Sequence, residues 1–206
     1  LLVLSGVRPE IDETAVARFG TFMVVSTPPR GVYSAYNVGI ARAGGRYALF
    51  FGIDDIALPG MDTVIAKIEW QQYDIYAAPC YMQGKGLRNP SSNRHSLIKT
   101  NWCQQGIFYA TAKLSERGGF DTQYPIQADH KLNIDIVADA SSRVGIDGEP
   151  VAYFSFGGVS SVRHDLNFIR EFPAIVSAAY GWRLGLYWKW RQRLSVLLRG
   201  PLQTRY

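Results

Sequence analysis

The chain has 206 residues, of which 47% are hydrophobic and 19% charged, enough apolar mass to bury a core and too little charge for a disordered segment. Its two cysteines, Cys80 and Cys103, exclude a disulfide scaffold and a zinc-binding spacing and fit a reducing compartment. No apolar run reaches the ~18 residues of a membrane span. The formal charge of +5 is uneven, because residues 161–206 carry 8 Lys+Arg against 2 Asp+Glu.

Along the chain, apolar residues 1–4 stop at Ser5-Gly6 and Pro9, the pattern of a strand buried on both faces. Helical spacing over 12–19 and the run TFMVVS at 21–26 predict a helix and a second strand, the latter ended by Pro28-Pro29. A short helix follows at 34–43, with Ser34 as its N-cap and Gly44-Gly45 past its end. Residues 46–51 (RYALFF) read as a third strand that runs into Gly52-Ile53-Asp54-Asp55. A helix at 61–70, a strand at 75–81, a polar loop at 83–100, a strand at 107–110, a helix at 127–138 and a strand at 151–156 complete the alternation. From about 163 the pattern is helical. Strands alternating with helices predict an α/β layered domain with a mainly parallel sheet, whose ligands collect at the carboxyl ends of the strands.

Asp54 and Asp55 sit at such an end. Adjacent carboxylates after an apolar strand either stay in water or are compensated by a cation, and Mg2+ or Mn2+ with substrate phosphates is the usual compensation. The dipeptide alone leaves both readings open.

Residues 29–41 (PRGVYSAYNVGIA), then Ala43-Gly44-Gly45-Arg46-Tyr47, an apolar strand and the acids, resemble a pattern of the family 2 glycosyltransferases that build bacterial surface polysaccharide. That pattern is roughly D-K-G-I-Y-D-A-M-N-K-G-I, then A-x-G-[DE]-Y, a strand and an acidic metal motif. Further on, Gln104-Gln105-Gly106-Ile107-Phe108-Tyr109 resembles the family's H-Q-[GA]-x-F-Y. Gly118-Gly119-Phe120-Asp121 with Tyr124 and Ala128-Asp129 resembles G-G-F-D-x-x-[YF] and the acid that closes it, and 156–161 (FGGVSS) resembles the segment ending the domain. The four blocks keep the family's order over residues 20–161. The chain differs in having Gly52 for the first acid of D-x-D, Gln104 for the usual His and Pro29-Arg30 for the acid before the Gly-x-Tyr segment. The family's first strand and helix fall ahead of Leu1.

The resemblance implies a GT-A fold, a three-layer sandwich around a mainly parallel mixed sheet at 1–161, followed by a basic, aromatic helical extension at 162–206. It implies inverting transfer of a sugar from a nucleotide-diphospho-sugar to a hydroxyl of a lipid-linked or saccharide acceptor. Asp129 is then the general base, Asp55 and Asp54 hold Mg2+ or Mn2+, and Arg30, Asn37 and Asp54 contact the donor. Gln105, Gly119, Phe120 and Asp121 border the sugar and acceptor pocket. Read without the resemblance, Asp129 is a carboxylate favoured by a helix N-terminus, Arg30 is a surface residue, and Gln105 is a hydrogen-bonded strand amide. A relative that keeps the fold as a binding or scaffold protein without turnover is the alternative function. A nucleotidyltransferase calls for a basic Gly-rich loop after the first strand, and none is visible.

In the extension, Tyr187, Trp190, Leu194 and Leu197 recur at helical spacing, widened by Leu186 and Leu198, among Arg183, Lys189, Arg191, Arg193 and Arg199. Trp and Tyr beside Lys and Arg predict a helix lying on an anionic membrane surface, at the cytoplasmic face, rather than spanning it or binding nucleic acid. Packing of the same stripe on the domain is the competing expectation.

Overall fold

The computed structural model describes residues 2–5, 23–52, 54–155 and 164–199. The expected helix at 12–19, the start of the strand at 21–26, the block at 156–161 and the stop at 200–201 lie outside the described residues.

Strand β1 (Leu2–Ser5) pairs in parallel with β2 (Val24–Thr27). Helix α1 (Val32–Ile40) follows, then β3 (Tyr47–Ala48), β4 (Ile56–Ala57), α2 (Gly60–Glu69), β5 (Ile75–Ala77), β6 (Cys80–Met82) and β7 (Gly86–Arg88). After β8 (Ile107–Ala110) and α3 (Thr111–Glu116) come α4 (Ala128–Ala138), β9 (Val144–Ile146), β10 (Ala152–Phe154), α5 (Leu166–Tyr180) and α6 (Trp182–Arg199). One sheet has the order β3-β8-β5-β9 and another the order β4-β10-β6-β7.

The layers follow from strand periodicity, because successive side chains point to opposite faces. Along β5 and β8, Ile75, Ala77, Ile107 and Tyr109 join one buried cluster, with α1, α4 and α5. Their neighbours Tyr76, Ala78 and Phe108 join a second cluster, against Met61, Val64 and Ile68 of α2. The result is helix, sheet, helix. The residues of the C-terminal extension enter the same interior: Phe168, Phe172, Ile175, Val176 and Trp188 pack in the first cluster with Leu132 and Ile136 of α4.

The structure corrects several local expectations. Antiparallel ladders join β3 to β8, β5 to β8, β6 to β7 and β10 to β4, while β5–β9 and β10–β6 are parallel, so the sheets are mixed without a parallel majority among the described strands. The strand expected at 75–81 breaks at Pro79, which has no N–H to donate. Ala78 N still donates to Gly106 O alongside β8, and after Pro79 the chain resumes as β6 in the other sheet. Helix α1 starts at Val32 behind Gly31 (φ +91°) with no side-chain cap, so Ser34 is inside the helix. Only Tyr47–Ala48 of the expected 46–51 strand is paired. The polar loop at 83–100 contains β7 and a 3-10 turn at Arg94–Ile98 capped by Asn93. Strand β9 and helix α3 carry too short a periodic signal to read.

Candidate active site

At the carboxyl end of the β3 segment the chain turns on itself, with Asp55 N donating to Gly52 O. Gly52 N in turn donates to Asp55 Oδ2 at 2.7 Å, and Gln105 Nε2 donates to the same oxygen at 2.9 Å. The other oxygen, Asp55 Oδ1, is buried and has no hydrogen-bond partner among the described residues. Gly52 makes this corner possible: a Cβ there would lie 2.7 Å from Asp54 Oδ1 and 3.0 Å from Asp55 Oδ2. The residue that stands for the first acid of the motif therefore makes room for the other two. A buried carboxylate oxygen without a donor is suited to a cation. Among the described residues no group of three or more His, Cys, Asp and Glu is set to hold a metal. Two carboxylates alone would hold a divalent ion only together with phosphate or water, as is usual for Mg2+.

Asp129 lies in the first turn of α4. Its Oδ1 is 2.8 Å from the Tyr33 hydroxyl, and its Oδ2 accepts from Asn101 Nδ2 at 2.7 Å. Asn101 is fixed in turn: its Oδ1 accepts from Trp102 N and from Asn133 Nδ2. Asn133 Oδ1 accepts from the Tyr109 hydroxyl at 2.7 Å. Burial pushes the Asp129 carboxyl above its usual range, and the hydrogen bonds from Tyr33, the His130 backbone and Asn101 pull it partly back. A carboxyl that is raised yet held by two donors is tuned for proton transfer. The Tyr33 hydroxyl also lies 2.8 Å from Ile126 O. It can donate to the ionised carboxylate, or donate to Ile126 O and accept from the protonated acid, so one geometry serves both proton states.

The backbone before α4 is anchored from the C-terminal helices. Asp165, 3% exposed, caps α5 through Phe168 N and accepts from Ile126 N and Gln127 N with its other oxygen. His130, stacked on Phe168 and Phe172, is kept neutral at about 4 by burial, and its ring lies 2.6 Å from Leu97 O.

Gln104 and Gln105 tie the two ends together. Gln105 holds Asp55, while Gln104 Oε1 lies 3.2 Å from the Tyr109 hydroxyl of the Asp129 network. Burial pushes the Tyr36 phenol up to about 12, with further contributions from Asp129, Asp55 and Asp54 in that order. One ring thus senses all three carboxylates. Gln104 Nε2 is buried and, among the described residues, has no hydrogen-bond partner.

The remaining expected residues fall elsewhere. The Asn37 amide closes a ring with the Phe120 backbone, donating to its O and accepting from its N, both at 2.8 Å. Gly119 (φ +76°) permits this: a Cβ there would meet Asn37 Oδ1 at 2.4 Å. Phe120 is 2% exposed and packs among Tyr33, Tyr36, Phe50 and Tyr109. Asp121 accepts from Gln123 in a local turn. Asn37, Gly119, Phe120 and Asp121 line a cavity of about 410 Å³ that Asp54, Asp55 and Asp129 do not line. Arg30 is exposed beyond the carboxyl end of β2. Tyr33, Asn101, Asn133 and Asp165 had no role in the sequence reading. Of these only Tyr33 carried a signal, as the tyrosine of Gly-x-Tyr.

Comparison with known proteins bears on the fold. No family model matches the chain. It is similar to PGL/p-HBAD biosynthesis glycosyltransferases of Mycobacterium bovis and Mycobacterium tuberculosis, at 30% identity over 163 residues, covering 75% of this chain and 62% of the relative. The chain thus matches less than two thirds of the length of these curated relatives. Among solved structures, S. aureus TarS 1-349 in complex with UDP-GlcNAc matches with a TM-score of 0.66 and 14% identity, over 98% of this chain and 67% of that one. The fold is GT-A. GalNAc-T7 with UDP, GalNAc and Mn2+ shares this GT-A architecture at a TM-score of 0.55 and 10% identity, over 85% of this chain and 42% of that one.

Proposed function

We propose that this GT-A chain is an inverting glycosyltransferase of surface glycolipid or polysaccharide biosynthesis. The observation that carries the reading is Asp129: a buried carboxyl, raised, oriented by Tyr33 and Asn101, and joined through Gln104-Gln105 to an acid pair with an orphaned oxygen. In this reading the donor is a nucleotide-diphospho-sugar, as bound by TarS in its UDP-GlcNAc complex. Asp54 and Asp55 would hold Mg2+ or Mn2+, whose positive charge would offset that of the departing diphosphate. Arg30 reaches the diphosphate from the end of β2. Asn37 acts on the Gly119-Phe120 loop rather than on the donor, since both ends of its amide are engaged there.

Asp129 takes the proton of an acceptor hydroxyl as that oxygen attacks the anomeric carbon opposite the diphosphate. Tyr33 keeps the carboxylate aimed and accepts a hydrogen bond from the acid once it is protonated. Gln105 fixes Asp55. The acceptor is lipid-linked or a saccharide, reached from the cytoplasmic membrane face on which α6 rests; no helix among the described residues is long and apolar enough to cross a membrane.

The test is UDP titration with Mn2+ or EDTA, followed by UDP release from UDP-sugars with octyl glycosides as acceptors. Mn2+-dependent UDP binding and release that Asp129→Asn abolishes support the reading. UDP binding with no release from any donor would make the chain a binding protein that keeps the fold.

A further inference from the structure

Helices α5 and α6 form a hairpin at Gly181 (φ +98°). They approach closely because of Gly185, where a Cβ would lie 2.4 Å from Ser177 Cβ and 2.7 Å from Pro173 O. Trp188 is 7% exposed and packs edge-on against Phe172, so one side of α6 belongs to the core. The opposite side is apolar too. Trp182, Leu186, Tyr187, Trp190, Leu194 and Leu197 are 38–81% exposed, a contiguous face of a kind that soluble surfaces rarely leave open.

Charge on this face has one sign. Helix α6 contains no Asp or Glu. Among the described residues Arg183, Lys189, Arg191 and Arg193 make no ion pair. Arg183 and Arg191 lie over the rings of Trp182 and Trp188, at 5.4 and 4.9 Å. Along the seam runs an open groove of about 1050 Å³, with Pro173, Ala174, Gly185 and Leu186 on its floor, Arg170, Lys189 and Arg193 at its rim, and no carboxylate in its lining. Arg170 shares an exposed pair with Glu171 at 3.2 Å, a contact weak enough to yield to a phosphate.

We propose that the α5–α6 groove is an anionic-lipid site: the rim takes the lipid phosphate, the floor takes an acyl chain, and the exposed aromatic face seats the protein on an anionic bilayer. This rests on the membrane association read above and goes beyond it by assigning the groove, Arg170 and the helix α5 wall. Charge complementarity selects the occupant. A phosphate-bearing surface matches unpaired cations, and only a bilayer also covers leucines and tryptophans lying between them. A nucleic acid would leave Leu186, Leu194 and Leu197 in water.

The test is vesicle cosedimentation of the full chain with phosphatidylcholine alone or mixed with phosphatidylglycerol, at low and high salt. Expected is salt-sensitive binding to the anionic vesicles. The triple change Arg170→Gln, Lys189→Gln, Arg193→Gln should weaken it by roughly 100-fold, equivalent to about 1 kcal/mol for each of three charges. Ala174→Trp, which fills the groove and leaves every charge, should weaken it by about tenfold, the size of a few lost buried methylenes. Equal binding to both vesicle types, displacement by polyuridylate, or full binding by the triple variant would overturn the site. Unaltered binding by Ala174→Trp would overturn the acyl-chain part, leaving a surface charge effect. UDP titration of the same samples without vesicles separates the two readings: loss of UDP binding in the wild type counts against the transferase and leaves the lipid site standing.

Discussion

The two ends of the candidate site are built on opposite plans. Around Asp129 both carboxylate oxygens have partners, the partners have partners, and the chain of hydrogen bonds reaches Tyr109 and Asp165 deep in the fold. Around Asp54-Asp55 the structure is shallow: one acid is exposed, the other is half-buried, and Asp55 Oδ1 has no partner among the described residues. A group that handles a proton must be held at a defined angle and at a tuned affinity before substrate arrives, so the protein completes its surroundings. A group that binds a cation must keep an acceptor free. Under the proposed function, the completed end is preorganised and the unfinished end is left for a ligand.

The largest effect that would break this contrast belongs to Asp129. Asp129→Asn should cut the rate of UDP release by on the order of 1000-fold with UDP affinity nearly unchanged, since a base acts only in the transition state. The same change should raise Tm at neutral pH. The sign follows from the raised carboxyl. Its contribution to stability is intact below the unfolded value near 3.9 and is lost as pH rises through the folded one, so an amide gains most at high pH and nothing in acid. A thermal melt across pH checks it.

Next comes the loop on which Phe120 enters the core. Gly119→Ala puts a Cβ 2.4 Å from Asn37 Oδ1 at a left-handed residue, and should cost about 2–3 kcal/mol, seen as a lower denaturant midpoint. Asn37→Ala should lose about 1–3 kcal/mol at the same loop, because the Phe120 N–H and C=O then lack partners. If Asn37→Ala instead weakens UDP binding with no loss of stability, the donor role returns to this residue.

At the unfinished end, Asp55→Ala should reduce UDP affinity by about 10–100-fold with Mn2+ and leave the affinity in EDTA unchanged, an effect of the size seen when a metal's surroundings are altered. Equal losses in both conditions would mean that Asp55 serves the polypeptide through Gly52 N and Gln105 and holds no ion.

Tyr33→Phe is the finest probe. The hydroxyl lowers the Asp129 carboxyl against the dominant effect of burial. Its loss should therefore move the acid limb of kcat/KM to higher pH, with about tenfold less activity below that limb and little change on the plateau. A uniform loss at every pH would reduce Tyr33 to packing.

Part of the site was legible in the linear chain because Asp54-Asp55 and Gln105 are polar interruptions beside apolar strand segments. What they do with one another was not legible. Asn37 reads as a ligand residue and turns out to pin Phe120, because an amide's partners are decided by which backbone lies opposite it, 83 residues away. Asn101, Asn133 and Asp165 are ordinary polar residues until helix packing encloses them.

The tail shows the same division. Composition and helical spacing by themselves established a basic, aromatic helix without acids, just as apolar alternation established an α/β layer structure, because periodicity is a local property of the chain. Which side of that helix is buried was decided only by tertiary packing: Gly185 and Trp188 face α5 and the core, while Trp182, Trp190 and Leu197 stay outside. The strand that breaks at Pro79 and the ladders that run antiparallel were settled in the same way. A β-strand's partner, an amide's acceptor and a helix's inner face are all set by residues remote in sequence, and their free energy exists only once those residues have met.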